Sequence, residues 1–130
     1  MSWYLDSSAI LKFIFEEKER AALLKLLTSS SFTSTISRIE VKQTVNRVLP
    51  SSLNLAEKEL SKIELVPIAQ PILSMAENFS AVVSLRTLDA IQIASVLHLG
   101  KAVAGLISYD KQMITNAKAL GINVIHPGMK

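Results

Sequence analysis

The chain has no cysteine, so disulfides and thiolate metal sites are excluded. That composition fits a reducing cytosol, and a cytoplasmic location is expected. No apolar run approaches the ~18 residues of a transmembrane helix, so no membrane span is expected. The N-terminus starts on strand-like residues and lacks a basic region followed by an apolar one, so no signal peptide is expected. No glycine-rich phosphate loop is present, which removes P-loop and dinucleotide-binding readings. There are no repeats, no low-complexity segment and no internal linker. The two histidines, His98 and His126, stand without metal-ligand spacing and are expected to be structural or solvent-facing. Aspartate is scarce: the chain has only Asp6, Asp89 and Asp110.

What is present is apolar. Hydrophobic residues make up 49% of the 130 positions, and the mean hydropathy is +0.35. This length suits a single domain spanning residues 1–130. Its core is large for its size, and part of the apolar surface is expected to be covered by a partner.

Trp3-Tyr4-Leu5-Asp6-Ser7-Ser8 is the stretch around which the rest is organised. A short apolar run, too short for a helix, ends abruptly in a carboxylate and two hydroxyls, and an amphipathic pattern follows at once. This predicts a buried strand, a sharp turn and a helix start. The helix is expected over residues 7–16 and a second over 17–28, broken by Ser29-Ser30-Ser31. Strand two is expected over residues 32–36. Ser37 and Glu40 have the spacing of a capping box opening a helix that stops at Leu49, before Pro50. Asn54 suits the N-cap of the next helix. Leu65 to Ile68 form a short strand that Pro67 demotes toward a sheet edge. Pro71 suits the first turn of a helix reaching Val83. Thr87 is expected to cap a strongly apolar helix that stops at Gly100. A strand over 102–107, a helix capped by Asp110 and ending near Gly121, and a strand over 122–125 complete the chain, with a loose terminus. Strands alternate with helices, which argues for an α/β layered fold. Trp3 is expected to pack at a sheet edge or an interface.

In a parallel α/β sheet, strand C-termini and helix N-termini share one edge. Asp6, Glu40, Asp89 and Asp110 all fall there, and Asp6 and Asp110 are expected to flank the point where strand order reverses, where ligands bind. Each also has an ordinary structural job as a cap or a first-turn acid. Capping alone needs no particular residue, however, and the chain has many serines, threonines and asparagines that would serve. Two carboxylates about 4 Å apart repel by roughly 4 kcal/mol at an effective dielectric near 20, or about three pK units. A divalent cation removes that conflict. Oxygen ligands without histidine or cysteine point to Mg²⁺ or Mn²⁺. With these four acids set aside, 14 basic residues face 7 acidic ones, a surplus of +7. A negative hole in a positive surface fits a polyanion whose phosphate reaches the metal. Ser8 and Ser108 are candidate substrate contacts, with Ser8 preferred to Ser7, which the turn can occupy. Among the basic residues near these motifs, Arg38 and Arg86 are the candidates for phosphate, ahead of Lys12, Lys42 and Lys111.

The residues resemble the PIN-domain family, and within it the VapC-type ribonuclease toxins of prokaryotic toxin–antitoxin pairs. The resemblance rests on Tyr4-Leu5-Asp6-Ser7-Ser8-Ala9, Ser37-Arg38-Ile39-Glu40-Val41, Leu88-Asp89-Ala90-Ile91-Gln92-Ile93-Ala94 and Ser108-Tyr109-Asp110-Lys111 in that order, followed by Ala117, Leu120 and Gly121. It implies a three-layer α/β/α fold with a five-stranded parallel sheet of order 3-2-1-4-5. It implies that Asp6, Glu40, Asp89 and Asp110 bind Mg²⁺ or Mn²⁺ for endonucleolytic cleavage of RNA. It further implies a homodimer inhibited by a VapB-like antitoxin whose C-terminal segment lies in a groove near the site. Ser108 stands where many relatives have threonine, and the hydroxyl survives. Gln92 stands where a histidine is frequent; because that histidine is not a core acidic ligand, the change is discounted.

Two other functions compete. A non-catalytic scaffold of this fold, binding RNA or protein, would use the acids only as caps. An aspartyl phosphotransferase would want a second aspartate two residues after the nucleophile, where Ser8 stands instead.

Overall fold

The computed structural model describes residues 1–27, 30–80 and 83–129. Strand β1 is Trp3–Leu5, followed by α1 (Ser7–Ile14), α2 (Arg20–Leu26) and β2 (Ser31–Ser34). Helix α3 (Thr35–Val48) leads through a 3-10 turn at Pro50–Ser52 into α4 (Leu53–Ser61) and β3 (Glu64–Val66). Then come α5 (Gln70–Glu77), α6 (Thr87–Leu99), β4 (Leu106–Ile107), α7 (Lys111–Ala119) and β5 (Val124–Ile125). The strands form one sheet of order β3-β2-β1-β4-β5, and every pairing is parallel. β1 is the central strand, in register with Ser31 and Phe32 on one side and with Leu106 and Ile107 on the other.

The alternation of β1 sorts the core into two layers, because successive side chains of a strand point to opposite faces. Trp3 and Leu5 pack with Ala9, Ile10, Phe13, Val41 and Leu60 on the α1–α3–α4 side. Tyr4 packs with Ile93, Val96, Leu106, Met113 and Ala117 on the α6–α7 side. Helices thus cover both faces, giving the three-layer α/β/α arrangement expected for strands buried on both sides. Trp3 is 5% exposed in the middle of the sheet, so its expected place at an edge or interface is corrected.

Several boundaries differ from the sequence expectation. Strand β2 ends at Ser34, whose Oγ accepts from the Ile36 backbone N–H at 3.1 Å and caps α3. The helix therefore starts before Ser37, and the Ser37–Glu40 capping box does not form. Here a hydroxyl three residues earlier closed the helix end first. Asn54 lies inside α4, because the 3-10 turn begun by Pro50 already winds the chain into the helix at Leu53. Thr87 is the first residue of α6, with Arg86 at its N-cap and no side-chain cap. Strand β4 has two residues, since a 3-10 turn takes up Gly100–Ala102. Helix α2 begins at Arg20 and α5 ends at Glu77. The expected helix end at Thr28, the break at Ser29, the stretch 81–82 of the expected α5 and the terminal Lys130 lie outside the described residues.

Other signals act as read. Leu49 caps α3 before Pro50. β3 is an edge strand and ends just before Pro67. Gly100 closes α6 with φ 52°, a left-handed conformation that a residue without Cβ adopts freely. Among the described residues, no helix is long and apolar enough to cross a membrane.

Candidate active site

The chain passes from β1 through β2 to β3 on one side of the sheet, then restarts at β4 on the other. The carboxyl ends of β1 and β4 therefore flank the reversal of strand order. Asp6 directly follows β1, and Ser108, Tyr109 and Asp110 directly follow β4. A cavity of about 370 Å³ opens there, and Asp6, Glu40, Asp89 and Asp110 all line it, with Ser7, Ser8, Arg86 and Gln92. Four elements distant in sequence bring their carboxylates to one place.

Asp6 is the most enclosed of them, at 2% exposure. It caps α1: its Oδ1 accepts from the Ala9 backbone N–H at 3.1 Å and from Ser8 Oγ at 2.6 Å. Its Oδ2 accepts from Ser108 Oγ at 2.5 Å. Burial pushes its pKa up to about 6 against the pull of these three donors, and the nearby Asp110 adds to the rise. Asp110 caps α7 by accepting from the Met113 backbone N–H at 3.1 Å. Asp89 sits in the first turn of α6, its Oδ2 3.5 Å from Arg86 Nε. Burial raises its pKa and Asp110 raises it further, while Arg86 opposes both. Burial likewise raises Glu40, with Asp89 adding to the shift and the Gln92 and Ser7 side chains opposing it. Each of these three acids is thus burdened by another acid of the same cavity.

The structural alternative separates the four. Asp6 and Asp110 do cap helices, and Asp89 occupies a first turn. Glu40 has no such task, because Ser34 holds the N-cap of α3.

Ser8 donates to Asp6 and accepts from the Tyr109 backbone N–H at 2.9 Å, so its hydroxyl is engaged on both sides. Ser108 is fully buried, donates to Asp6 and accepts from the Asp110 N–H at 3.2 Å. Both serines orient carboxylates, whereas Ser7 bonds Glu40. Arg86 lines the cavity with its side chain 74% exposed. Arg38 does not line it; its Nη2 lies 3.1 Å from each carboxylate oxygen of Glu57 on α4. Lys42 also pairs with Glu57, and Lys12 pairs with Glu17 and Glu19.

Gln92 is the residue that sequence reasoning set aside. It is 2% exposed and lines the cavity. Its Nε2 donates to Glu40 Oε1 at 3.0 Å. Its position three residues after Asp89, on the same face of an apolar helix, was the available signal.

Among the described residues, no three acidic or histidine side chains form a ready-made metal cage. Mg²⁺ does not need one, since it is commonly held by one or two carboxylates and keeps several waters. An all-oxygen set of mutually repelling carboxylates, with Arg86 the one basic side chain lining their cavity among the described residues, fits such an ion.

Residues 3–119 match the PIN domain. The chain belongs to the PIN-domain family. Among its relatives, Ribonuclease VapC46 of Mycobacterium tuberculosis is 34% identical over 126 residues, covering 95% of this chain and 96% of that protein. Ribonuclease VapC47 of the same species is 28% identical over 132 residues, covering 96% of each. A solved toxin–antitoxin complex from Klebsiella pneumoniae contains a chain that superposes with a TM-score of 0.78 at 16% identity, covering 98% of both chains. The PIN fold seen here has the strand order that the resemblance implied.

Proposed function

We propose that this PIN-domain protein is a metal-dependent endoribonuclease and acts as the toxin of a toxin–antitoxin pair. The carrying observation is the convergence of Asp6, Glu40, Asp89 and Asp110 on one cavity at the reversal of strand order. The curated relatives are named ribonucleases, and the matched Klebsiella chain comes from a toxin–antitoxin complex, which supports both halves of the proposal.

Asp6, Glu40, Asp89 and Asp110 would hold Mg²⁺ or Mn²⁺, and a bound ion of this kind lowers the pKa of water and neutralises charge on phosphate oxygens. Ser8, Ser108 and the Ala9 N–H keep Asp6 ionised and aimed at one point despite its burial. Gln92 and Ser7 do the same for Glu40. Arg86, exposed at the rim, offers a cation to an RNA phosphate. It is the better placed of the two candidate arginines, because it lines the cavity, whereas Arg38 lies outside it and pairs with Glu57. The partners of the assembly are a VapB-like antitoxin and a second copy of the chain. Exposed Ile39, Val48 and Leu49 on and just beyond α3 leave apolar surface for such contacts.

Incubation of wild type and Asp6→Asn with RNA, in Mg²⁺ and in EDTA, tests the proposal. Asparagine keeps the capping oxygen and loses the charge. Cleavage is expected to need the metal and to fall by orders of magnitude, about 10²–10⁴-fold, in the variant. Equal cleavage by the two proteins would instead favour a scaffold whose acids only cap helices.

A further inference from the structure

We propose that Gln92 is a positioning residue that aims the Glu40 carboxylate into the cavity, with Tyr4 and Ser37 setting the direction of its amide. This inference rests on the ribonuclease reading of the site and adds a residue to it.

A buried amide must satisfy both of its ends. The Gln92 Oε1 accepts from the Tyr4 hydroxyl at 2.5 Å and from the Ser37 hydroxyl at 2.9 Å. Tyr4 and Ser37 are fully buried, so neither can turn to water instead. Both hydroxyls spend their protons on the same oxygen. The amide nitrogen is left to face Glu40, whose Oε1 lies 3.0 Å away. With the amide reversed, its oxygen would meet a carboxylate oxygen at that distance, and two acceptors would repel. The polarity of the network therefore ends in an N–H pointing at Glu40.

The geometry ties three elements together. Tyr4 comes from the central strand, Ser37 and Glu40 from one face of α3, and Gln92 from α6, where it follows Asp89 by three residues. Ser37 and Glu40 are also three apart, so one amide bridges both to the helix that carries Asp89. Glutamate has one more rotatable bond than aspartate, and Glu40 caps no helix that would hold it. Gln92 supplies a restraint from a buried amide engaged at both ends, beside the bond from Ser7. An apolar side chain of equal length would fill the space but leave two buried hydroxyls without this acceptor and Glu40 without its buried amide donor, with Ser7 as its remaining side-chain partner. A histidine keeps one donor and one acceptor on a single ring.

The test uses the full chain as wild type, Gln92→Met and Gln92→His. Mn²⁺ affinity is read by electron paramagnetic resonance, cleavage of RNA in Mg²⁺ by kcat and KM, and the fold by circular dichroism. Gln92→Met is expected to lose about 10–100-fold in Mn²⁺ affinity and in kcat, as partners of metal ligands typically do. KM for RNA should stay within about twofold, and Gln92→His should bring kcat back to within about threefold of wild type. Gln92→Met binding Mn²⁺ and cleaving within about twofold of wild type would overturn the inference. If Gln92→Met does not fold, the decision passes to Ser37→Ala, which removes one donor to Oε1 and leaves Nε2 untouched. Ser37→Ala should weaken Mn²⁺ binding by about 2–5-fold, and an unchanged affinity overturns the inference. Failure of the underlying reading looks different, since wild type itself would then neither bind Mn²⁺ nor cleave.

Discussion

Ser108 donates its hydroxyl to Asp6 Oδ2 at 2.5 Å, joining residues 102 positions apart at the ends of neighbouring strands. This bond crosses the line where strand order reverses. It gives the buried Asp6 its third donor, after Ser8 and the Ala9 N–H. Even so, burial holds the Asp6 pKa at about 6, well above its ordinary 3.8, and the nearby Asp110 adds a little to the rise.

Asp6 should therefore make the metal-free protein less stable as pH rises. Its ordinary value is 3.8 and its folded value about 6, so the folded state binds this proton more tightly than the unfolded one. Its contribution to stability falls as pH rises from about 4 to about 6 and is level above that. The difference is worth roughly 3 kcal/mol. Urea denaturation in EDTA should find Asp6→Asn gaining on wild type across this window, with the advantage largest at pH 7 and absent near pH 4.

Ser108→Ala should weaken both fold and activity. It strips a buried carboxylate oxygen of its donor and the Asp110 N–H of its acceptor. The expected loss is about 1–3 kcal/mol in denaturation and about 10–100-fold in kcat.

The two arginines should part company. Arg86→Ala removes a cation from the cavity rim and should raise KM for RNA several-fold, with a shallower salt dependence. Arg38→Ala breaks a surface pair with Glu57, and solvent screening leaves such pairs little weight. It should leave KM near wild type. Steady-state kinetics at two salt concentrations read both effects.

Gly105→Ala should destabilise the sheet. Gly105 O accepts from the Tyr4 N–H at 3.0 Å, and a Cβ on Gly105 would collide with the Asn123 carbonyl oxygen. That oxygen is backbone and holds the Leu106 N–H at 2.9 Å, so it cannot step aside without loosening β4 from β5. A loss of about 1–3 kcal/mol is expected by thermal melting.

Layer architecture and the shared edge were readable because both depend on patterns that survive tertiary context. Apolar runs of three or four residues, helical periodicity and chain punctuation placed Asp6, Asp89 and Asp110 at strand ends and helix starts. Helix starts were less readable, since a local rule can be met by more than one residue. Ser34 and Ser37 both suit an N-cap, and pairing of Phe32, Thr33 and Ser34 with β3 ends the strand at the earlier one. Side-chain orientation was not readable. Ser8 was preferred for substrate because the turn could occupy Ser7; its hydroxyl donates to Asp6, because a capping carboxylate draws the hydroxyl two residues on, while Ser7 bonds Glu40. Nor could spacing show that Gln92 meets Tyr4 and Ser37, 88 and 55 positions away.

The central claim is that carboxylates from four parts of the chain, directly or through bound waters, make one site for a hydrated divalent cation. Its most direct test is Mn²⁺ binding, followed by electron paramagnetic resonance, in wild type and in Asp6→Asn, Glu40→Gln, Asp89→Asn and Asp110→Asn. Saturable binding by wild type is predicted, weakened about tenfold or more in each variant, with RNA cleavage falling alongside. Wild type that binds no Mn²⁺, or four variants that bind it as tightly as wild type, would contradict the claim.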